Sequence, residues 1–228
     1  MKILITGHNG YIGSNLYKIL NKNKNKILII KKNSLKDLKK LSGKIDCVIH
    51  CANKYYSKKK NEVFNTNYLY SKIIYNFFNS SNKEKKNFLF INLNTIYIKK
   101  KKMLNIINEP YVKSKKMFSD YVKNDKKNIK FLNLLIPTVY GKEGNKKDFY
   151  YNLKSKLIKN KPIIIKNKND TRYFVCILNL ENIIIKILKN KNTLKKFTQK
   201  TINYDFKCTN YEFAKFLKKQ FKSKSKIL

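Results

Sequence analysis

Three of the six glycines in this 228-residue chain fall together, in the stretch Gly7-His8-Asn9-Gly10-Tyr11-Ile12-Gly13. The GxxGxxG spacing lies directly after an apolar run, Lys2 to Thr6, and directly before a helical pattern that opens at Tyr11. That context gives the glycines their chemistry. A strand that turns sharply into a helix aims free backbone N–H groups at an anion, so the loop reads as a cradle for a dinucleotide pyrophosphate. Gly7 permits the tight turn, Gly10 lets the backbone approach the phosphates, and Gly13 lets the helix pack close to the sheet. Contacts to the ligand are expected from Gly7, Asn9, Gly10, Tyr11, Ile12 and Gly13. The ribose end of such a ligand meets the end of the second strand, where an acid suits NAD and a base suits NADP. Here that strand, Lys26 to Ile30, runs into Lys31-Lys32 with no acid in reach, which leans toward NADP over NAD.

The elements that must position this turn follow from hydrophobic periodicity. Apolar runs at Lys2 to Thr6, Lys26 to Ile30, Ile45 to Ile49, Phe88 to Leu93 and Ile129 to Ile136 alternate with helical stretches at Tyr11 to Leu20, Leu35 to Leu41, Glu62 to Phe78 and Tyr111 to Val122. Strand and crossover helix in that rhythm predict an α/β fold with a Rossmann-type, doubly wound parallel sheet. Within Glu62 to Phe78, the residues Phe64, Tyr68, Leu69, Ile73, Ile74 and Phe77 recur at helical spacing and predict one buried stripe. After Gly141 the pattern changes to a helix at Phe149 to Ile158, strands at Pro162 to Ile165 and Tyr173 to Leu178, and helices near Leu180 to Leu188 and Tyr211 to Phe221. The expected organisation is a dinucleotide-binding domain over residues 1–141 and a small, reduced lobe for substrate over 142–228, interleaved with the sheet.

Composition excludes several classes. At 42% hydrophobic residues the chain can bury a sizeable core, and no apolar run approaches the roughly 20 residues of a membrane helix. Thr-Gly and Asn-Gly interrupt the first residues too early for a signal peptide, so a cytoplasmic location is expected. Cys47, Cys51, Cys176 and Cys208 show no metal-binding spacing and read as reduced thiols, mostly in the core. The formal charge of +40 would attract any polyanion. Its source is nearly all Lys, with Arg172 the sole arginine, and point charges lack the planar fork with which arginine reads bases. No specific nucleic-acid partner and no metal are expected.

From Thr6 through the glycine turn the chain resembles the extended short-chain dehydrogenase/reductases, the NAD-dependent epimerase/dehydratase family. Asp46-Cys47-Val48-Ile49-His50-Cys51-Ala52 is similar to the family's fourth-strand segment, Asp-x-Val-x-His-x-Ala, which implies that His50, Cys51 and Ala52 line the cofactor. Asn67 matches the family's helix asparagine. The resemblance also implies a catalytic Tyr-x-x-x-Lys pair. Seven such spacings occur, starting at Tyr55, Tyr56, Tyr68, Tyr97, Tyr111, Tyr150 and Tyr211. Tyr111 and Lys115 alone follow a proline, carry Ser114 before the lysine and fall between the apolar runs Phe88 to Leu93 and Ile129 to Ile136. On one helix face the Lys115 ammonium can lie near both phenol and cofactor ribose, and a cation favours the phenolate of a group that otherwise titrates near about 10. The family's third catalytic group, a Ser or Thr at the preceding strand end, falls on Thr95, with Asn94 replacing the usual Ser before it.

Ile96-Tyr97 stands where sugar 4,6-dehydratases of the family carry Asp-Glu, which leaves epimerases and keto-sugar reductases. Thr171-Arg172-Tyr173-Phe174 resembles the family's Thr-Arg-Asp-Phe, implying that Arg172 grips a substrate diphosphate; a bidentate guanidinium suits that group as a lysine does not. Thr138, in Pro137-Thr138-Val139-Tyr140-Gly141, takes the place of a substrate-site Asn. Lys99-Lys100 replaces the family's Tyr-Gly, and the stretch from Thr95 to Tyr111 is shorter than its norm. The expected function is thus an NAD(P)-dependent epimerase or reductase of a nucleotide-activated sugar, with a homodimer implied by kinship. The alternatives are a cofactor-binding sensor without turnover and a polyanion-binding basic protein.

Overall fold

β1 (Lys2–Thr6) occupies the interior of a six-stranded parallel sheet of order β2-β1-β3-β4-β5-β8. The computed structural model describes residues 1–30, 35–59, 61–82, 87–99, 109–126, 128–141, 149–165 and 167–228, so Lys31 and Lys32 lie outside the described residues. β2 (Lys26–Ile29), β3 (Cys47–His50), β4 (Leu89–Thr95) and β5 (Lys130–Ile136) come from the apolar runs read in the sequence. Central parallel strands are covered on both faces and are therefore apolar without alternation: every residue of β3 and of β4 is buried. The helices between them are α1 (Tyr11–Lys22), α2 (Leu35–Leu41) and α5 (Glu109–Asn124). A further continuous helical run is formed by α3 (Glu62–Phe64), a π-wound segment (Asn65–Tyr70) and α4 (Ser71–Ser81). This is the doubly wound Rossmann architecture expected from the sequence. The segment resembling a fourth strand is the third here, because α2 leads to β3 with no intervening strand among the described residues.

The core of this sheet collects Leu4, Val48, Phe90 and Phe131 from the strands, Ile74, Tyr75 and Phe78 from α4, and Phe118 and Val122 from α5. The expected buried stripe is met in part: Ile74 is sealed in this core and Tyr68 and Phe77 pack against it partly buried. Leu69 and Ile73 are 42% and 45% exposed, while Tyr75 and Phe78 are sealed. Leu69 lies within the π-wound turn and Ile73 just after it, where the wider winding shifts a residue's phase from constant α-helical spacing. Among the cysteines only Cys47 is fully buried; Cys51, Cys176 and Cys208 are half-buried, so the thiols are less deeply cored than expected.

The chain divides into two compact units. The first holds the described chain up to Ile136 together with Glu181–Ile202, and the second holds Pro137–Leu180 and Asn203–Leu228. The return segment supplies the sixth strand, β8 (Phe197–Thr201), which pairs in parallel with β5 from Phe131↔Phe197 to Leu135↔Thr201. The second unit has a three-stranded sheet of order β6-β7-β9, made from β6 (Thr138–Tyr140), β7 (Thr171–Cys176) and β9 (Phe206–Thr209). α6 (Phe149–Ile158) and α8 (Asn210–Gln220) join Phe174 in its core, where the Phe174 and Phe213 rings stack with centroids 3.8 Å apart. α8 opens with a capping box: the Glu212 N–H donates to Thr209 Oγ1 at 3.1 Å and the Thr209 N–H to Glu212 Oε2 at 2.7 Å. α7 (Ile177–Lys189) begins in the second unit and continues into the first. The expected strand at Pro162 to Ile165 is reduced to one bridge, Ile163↔Ile227.

Candidate active site

Strand order reverses between β1 and β3, since the chain runs outward from β1 to β2 and then returns to β1's other side. In such sheets the ligand crevice opens at the carboxyl ends of the strands beside this switch point. Gly7 leaves β1 there at φ +69°, a conformation that suits glycine. A Cβ on it would stand 2.6 Å from the Ala52 nitrogen and 2.8 Å from the Cys51 carbonyl carbon, so the turn lies directly on the segment leaving β3. Gly10 caps α1 from an extended conformation, with no side-chain cap to the helix, and its own N–H donates to the Gly7 carbonyl at 2.9 Å. A Cβ on Gly13 would overlap that same carbonyl, which confirms tight packing of α1, here onto the turn itself. Asn9, Tyr11 and Ile12 fall in the same turn and first helical residues.

His50 closes β3 with no exposed surface. Ser71 Oγ donates to the Asn67 carbonyl at 2.9 Å, which commits its only proton, so His50 Nε2–H donates to Ser71 Oγ at 2.8 Å. The other ring nitrogen, Nδ1, then accepts from Thr6 Oγ1 at 2.8 Å. Burial, with the Lys115 cation adding to it, pushes the imidazole down to about 3, so it is neutral at ordinary pH. Thr6 Oγ1 in turn accepts the Ala52 N–H at 3.4 Å. His50 therefore ties β1, β3 and the π-wound helix together and, through Thr6, holds Ala52 in place. Asn67 is equally sealed. Its carboxamide accepts from the Lys54 N–H at 2.8 Å and donates to the Lys54 carbonyl at 2.9 Å and to Ser114 Oγ at 3.2 Å, and Ser114 Oγ donates to the Tyr111 carbonyl at 2.9 Å. The loop after β3 is thereby fixed to the first turn of α5.

That turn carries Tyr111, and Lys115 follows one turn later. Lys115 is 2% exposed, whereas the lysines of the other described Tyr-x-x-x-Lys spacings, Lys59, Lys72, Lys154 and Lys215, are half-buried or exposed. Its Nζ donates to the Leu93 carbonyl at 2.7 Å, and burial lowers the ammonium to about 8. The lysine also touches the cradle electrostatically: the Cys51 thiol, driven up to about 12 by burial, is held back by the Lys115 charge. Thr95 ends β4 nearly buried, and its Oγ1 accepts the Tyr97 N–H at 3.4 Å. The Tyr55 ring leans on Tyr111 with centroids 5.1 Å apart. Burial raises the Tyr111 phenol above its ordinary range, and Tyr55 and Tyr97 push it further up. The expected lowering by Lys115 is not among the dominant influences in the chain alone, since the Nζ is turned to the strand carbonyl.

The substrate residues read from the sequence lie in the second unit. Arg172 on β7 pairs in register with Cys208 and stacks its guanidinium over the Phe149 ring at 5.0 Å. Thr138 opens β6, half-buried, in register with Phe174. Asn179 donates to Asp205 Oδ1 at 2.8 Å, and the other carboxylate oxygen accepts the Cys176 N–H at 2.6 Å, a cap on the start of α7. Sequence reasoning did not find Ser71, Tyr55 or the Lys54 backbone as parts of the first unit's site. Tyr55 stood out only as one of seven Tyr-x-x-x-Lys starts and no motif marks Ser71 or Lys54; the fold alone brings them to Asn67, His50 and Tyr111.

A glycine turn at the switch point, with the Thr95, Tyr111 and Lys115 positions on the adjoining β4 and α5, defines a Rossmann-type protein of the dinucleotide-binding class. The chain belongs to the NAD dependent epimerase/dehydratase family, whose model matches residues 3–203. Its fold is that of a UDP-glucuronic acid 4-epimerase from Bacillus cereus, solved with UDP-glucuronic acid and NAD, at TM-score 0.81 and 22% identity over 100% of this chain and 85% of that one. A UDP-glucose 4-epimerase from Thermus thermophilus in complex with NAD superposes at 0.77 with 14% identity, covering 100% and 86%. RMD from Pseudomonas aeruginosa, complexed with NADPH, superposes at 0.78 with 12% identity, covering 100% and 84%. No curated protein matches the sequence significantly. Among the described residues no helix is long and apolar enough to cross a membrane.

Proposed function

We propose that the chain is a nicotinamide-dinucleotide-dependent epimerase or keto-sugar reductase of a nucleotide-activated sugar. The observation that carries this reading is Lys115: a lysine buried with no carboxylate partner among the described residues, one helical turn from Tyr111, its Nζ on the Leu93 carbonyl and its charge acting on the Cys51 thiol. Isolated buried cations are costly and are retained for work. The residues present fit the coenzyme. The Gly7–Gly13 turn would hold its pyrophosphate, Ala52 would line it, and Lys115 would reach its ribose hydroxyls. When bound, the nicotinamide supplies a hydride acceptor or donor. Tyr111 passes a proton to or from the sugar oxygen, and Thr95 donates a hydrogen bond to that oxygen. Swinging of the Lys115 ammonium from Leu93 toward the ribose and phenol would bring the phenol down to a useful range. Arg172 takes the sugar's diphosphate. NADP is favoured over NAD by Lys31-Lys32, whereas the similar structures named above hold either NAD or NADPH.

Calorimetric titration with NAD, NADP and a panel of sugar nucleotides, followed by turnover assays on Tyr111→Phe, tests the reading. Coenzyme binding with a kcat lowered by about 10²–10⁴ in Tyr111→Phe supports it. A folded chain that binds neither coenzyme at millimolar concentration overturns it. The upward push on the Tyr111 phenol favours one rival, a coenzyme-binding sensor without turnover, for which Tyr111→Phe would change nothing.

A further inference from the structure

β4 and β5 carry three asparagines into the interior where apolar residues would otherwise stand: Asn92 and Asn133 are fully buried and Asn94 is 1% exposed. Buried carboxamides persist where their hydrogen bonds are met, and one connected set meets those of Asn94 and Asn133 and the amide nitrogen of Asn92, whose Oδ1 has no partner among the described residues. Asn94 Oδ1 accepts the N–H of Thr95 at 2.8 Å, which fixes the orientation of its amide. Asn94 Nδ2 then donates to the Lys115 carbonyl at 3.4 Å and to Asn133 Oδ1 at 3.1 Å. Asn133 Oδ1 also accepts from Asn92 at 2.9 Å, while its Nδ2 donates to Ser119 Oγ and to Gln199 Oε1, each at 2.8 Å. Ser119 lies one turn beyond Lys115 on α5.

The lysine is tied to β4 a second time. The β3–β4 ladder ends at His50↔Asn92, and the Leu89 N–H donates to Asp46, so odd-numbered β4 residues face β3. Leu93 is the first of these beyond the ladder, and its carbonyl is taken by Lys115 Nζ. The main chain of Lys115 meets Asn94 and its side chain meets Leu93, on consecutive residues just before Thr95.

We propose that Asn94, backed by Asn133, is a positioning residue for the catalytic groups: one carboxamide holds the Thr95 backbone and the Lys115 backbone to each other across the β4–α5 boundary. The serine that the resembling family has at this position offers one donor and could not meet the Thr95 N–H, Lys115 and Asn133 together. The inference rests on the catalytic assignment proposed above.

Asn94→Ser tests it with two readouts. The first is independent of catalysis: reductive methylation of the purified full chain, with the rate at Lys115 followed by peptide mass spectrometry against the exposed Lys116. In the wild type Lys115 is protected; in Asn94→Ser its rate relative to Lys116 rises at least about tenfold as α5 loses its hold on β4. The second is steady-state kinetics with the coenzyme and sugar nucleotide found by titration. Displacements near 1 Å cost about 10²-fold in rate, so kcat falls by about 10–100-fold while the coenzyme Kd changes less than about threefold, and the kcat–pH profile shifts. Equal Lys115 labelling in variant and wild type overturns the inference, as does an unchanged kcat and pH profile. If Asn94→Ser does not fold, Asn133→Ser, which keeps Asn94 but removes the support behind its amide together with the bonds to Asn92, Ser119 and Gln199, is read by the same criteria. A wild type that binds coenzyme without turnover would count against the catalytic assignment, and the labelling comparison would still decide whether Asn94 holds Lys115.

Discussion

Replacing Gly7 by alanine separates two costs that glycine turns usually confound. The backbone at Gly7 has φ +69°, and at Gly43 it has φ +67°, so both positions impose nearly the same left-handed penalty on an added Cβ. That penalty is about 1–2 kcal/mol per residue. Gly43 has nothing within 4 Å of the added atom, whereas at Gly7 the atom meets Ala52 N at 2.6 Å, Ala52 Cα at 2.7 Å and Cys51 C at 2.8 Å, all backbone. Backbone cannot rotate away as a side-chain tip can, and overpacking of this kind costs a further about 1–3 kcal/mol. Gly43→Ala should therefore lose about 1–2 kcal/mol, and Gly7→Ala about 2–5 kcal/mol. For a chain of this size each kcal/mol lowers Tm by about 2–4 °C. Urea denaturation at constant m, backed by thermal melts, measures the difference between the two variants. Coenzyme titration should show weaker binding for Gly7→Ala only. Equal stability losses in the two variants would refute the close approach of the turn to the segment after β3, and with it the geometry of the cradle.

Other consequences are equally direct. His50 has its folded pKa depressed to about 3, so the unfolded state alone binds the proton between there and about 6.5; the stabilisation is complete above that upper value and is lost as pH falls, by about 2 kcal/mol from pH 7 to pH 5. Urea midpoints across that interval should decline with a slope that His50→Gln flattens, and equal slopes would remove His50 as the cause. Lys115→Met removes a buried ammonium whose pKa burial lowers to about 8, and it should raise stability at pH 7 by about 2 kcal/mol after the loss of one hydrogen bond to Leu93, while abolishing turnover. A lower melting temperature would contradict it. Arg172→Lys keeps the charge and loses the fork, so KM for the sugar nucleotide should rise about tenfold or more with the coenzyme Kd unchanged; a shifted coenzyme Kd in calorimetry would place Arg172 elsewhere in function.

How much of this was legible in the sequence depended on whether a residue's role was local. The runs that became β1, β3, β4 and β5 are buried on both faces, so their hydrophobicity alone announces them, and the glycine turn is local to one strand and one helix. β6, β8 and β9 escaped notice because they are short and half-polar. Phe197–Thr201, with Thr198, Gln199 and Lys200 inside it, is a strand only because β5 presents an open edge to it. The π winding at Asn65–Tyr70 left no mark in the spacing, and Leu69 and Ile73 of the predicted stripe face outward there. At the site, Tyr111 and Lys115 were picked from seven spacings by their neighbours, and among the described residues the burial of Lys115 is what sets them apart physically. Asn92, Asn94 and Asn133 read as blemishes in apolar runs, since their meaning lies in partners from other strands and from α5.

The late arrival of β8 has a consequence for how the molecule is made. Strand β5 must wait for partners encoded some sixty residues later, after most of the second unit has left the ribosome, before its outer edge is covered and the Asn133 amide reaches Gln199. Sequence-distant parallel pairing is slow and leaves adhesive edges bare in the interim. A nascent chain released after Gly141 would carry the whole glycine turn yet keep β5 as a sticky border, so truncated products are expected to aggregate.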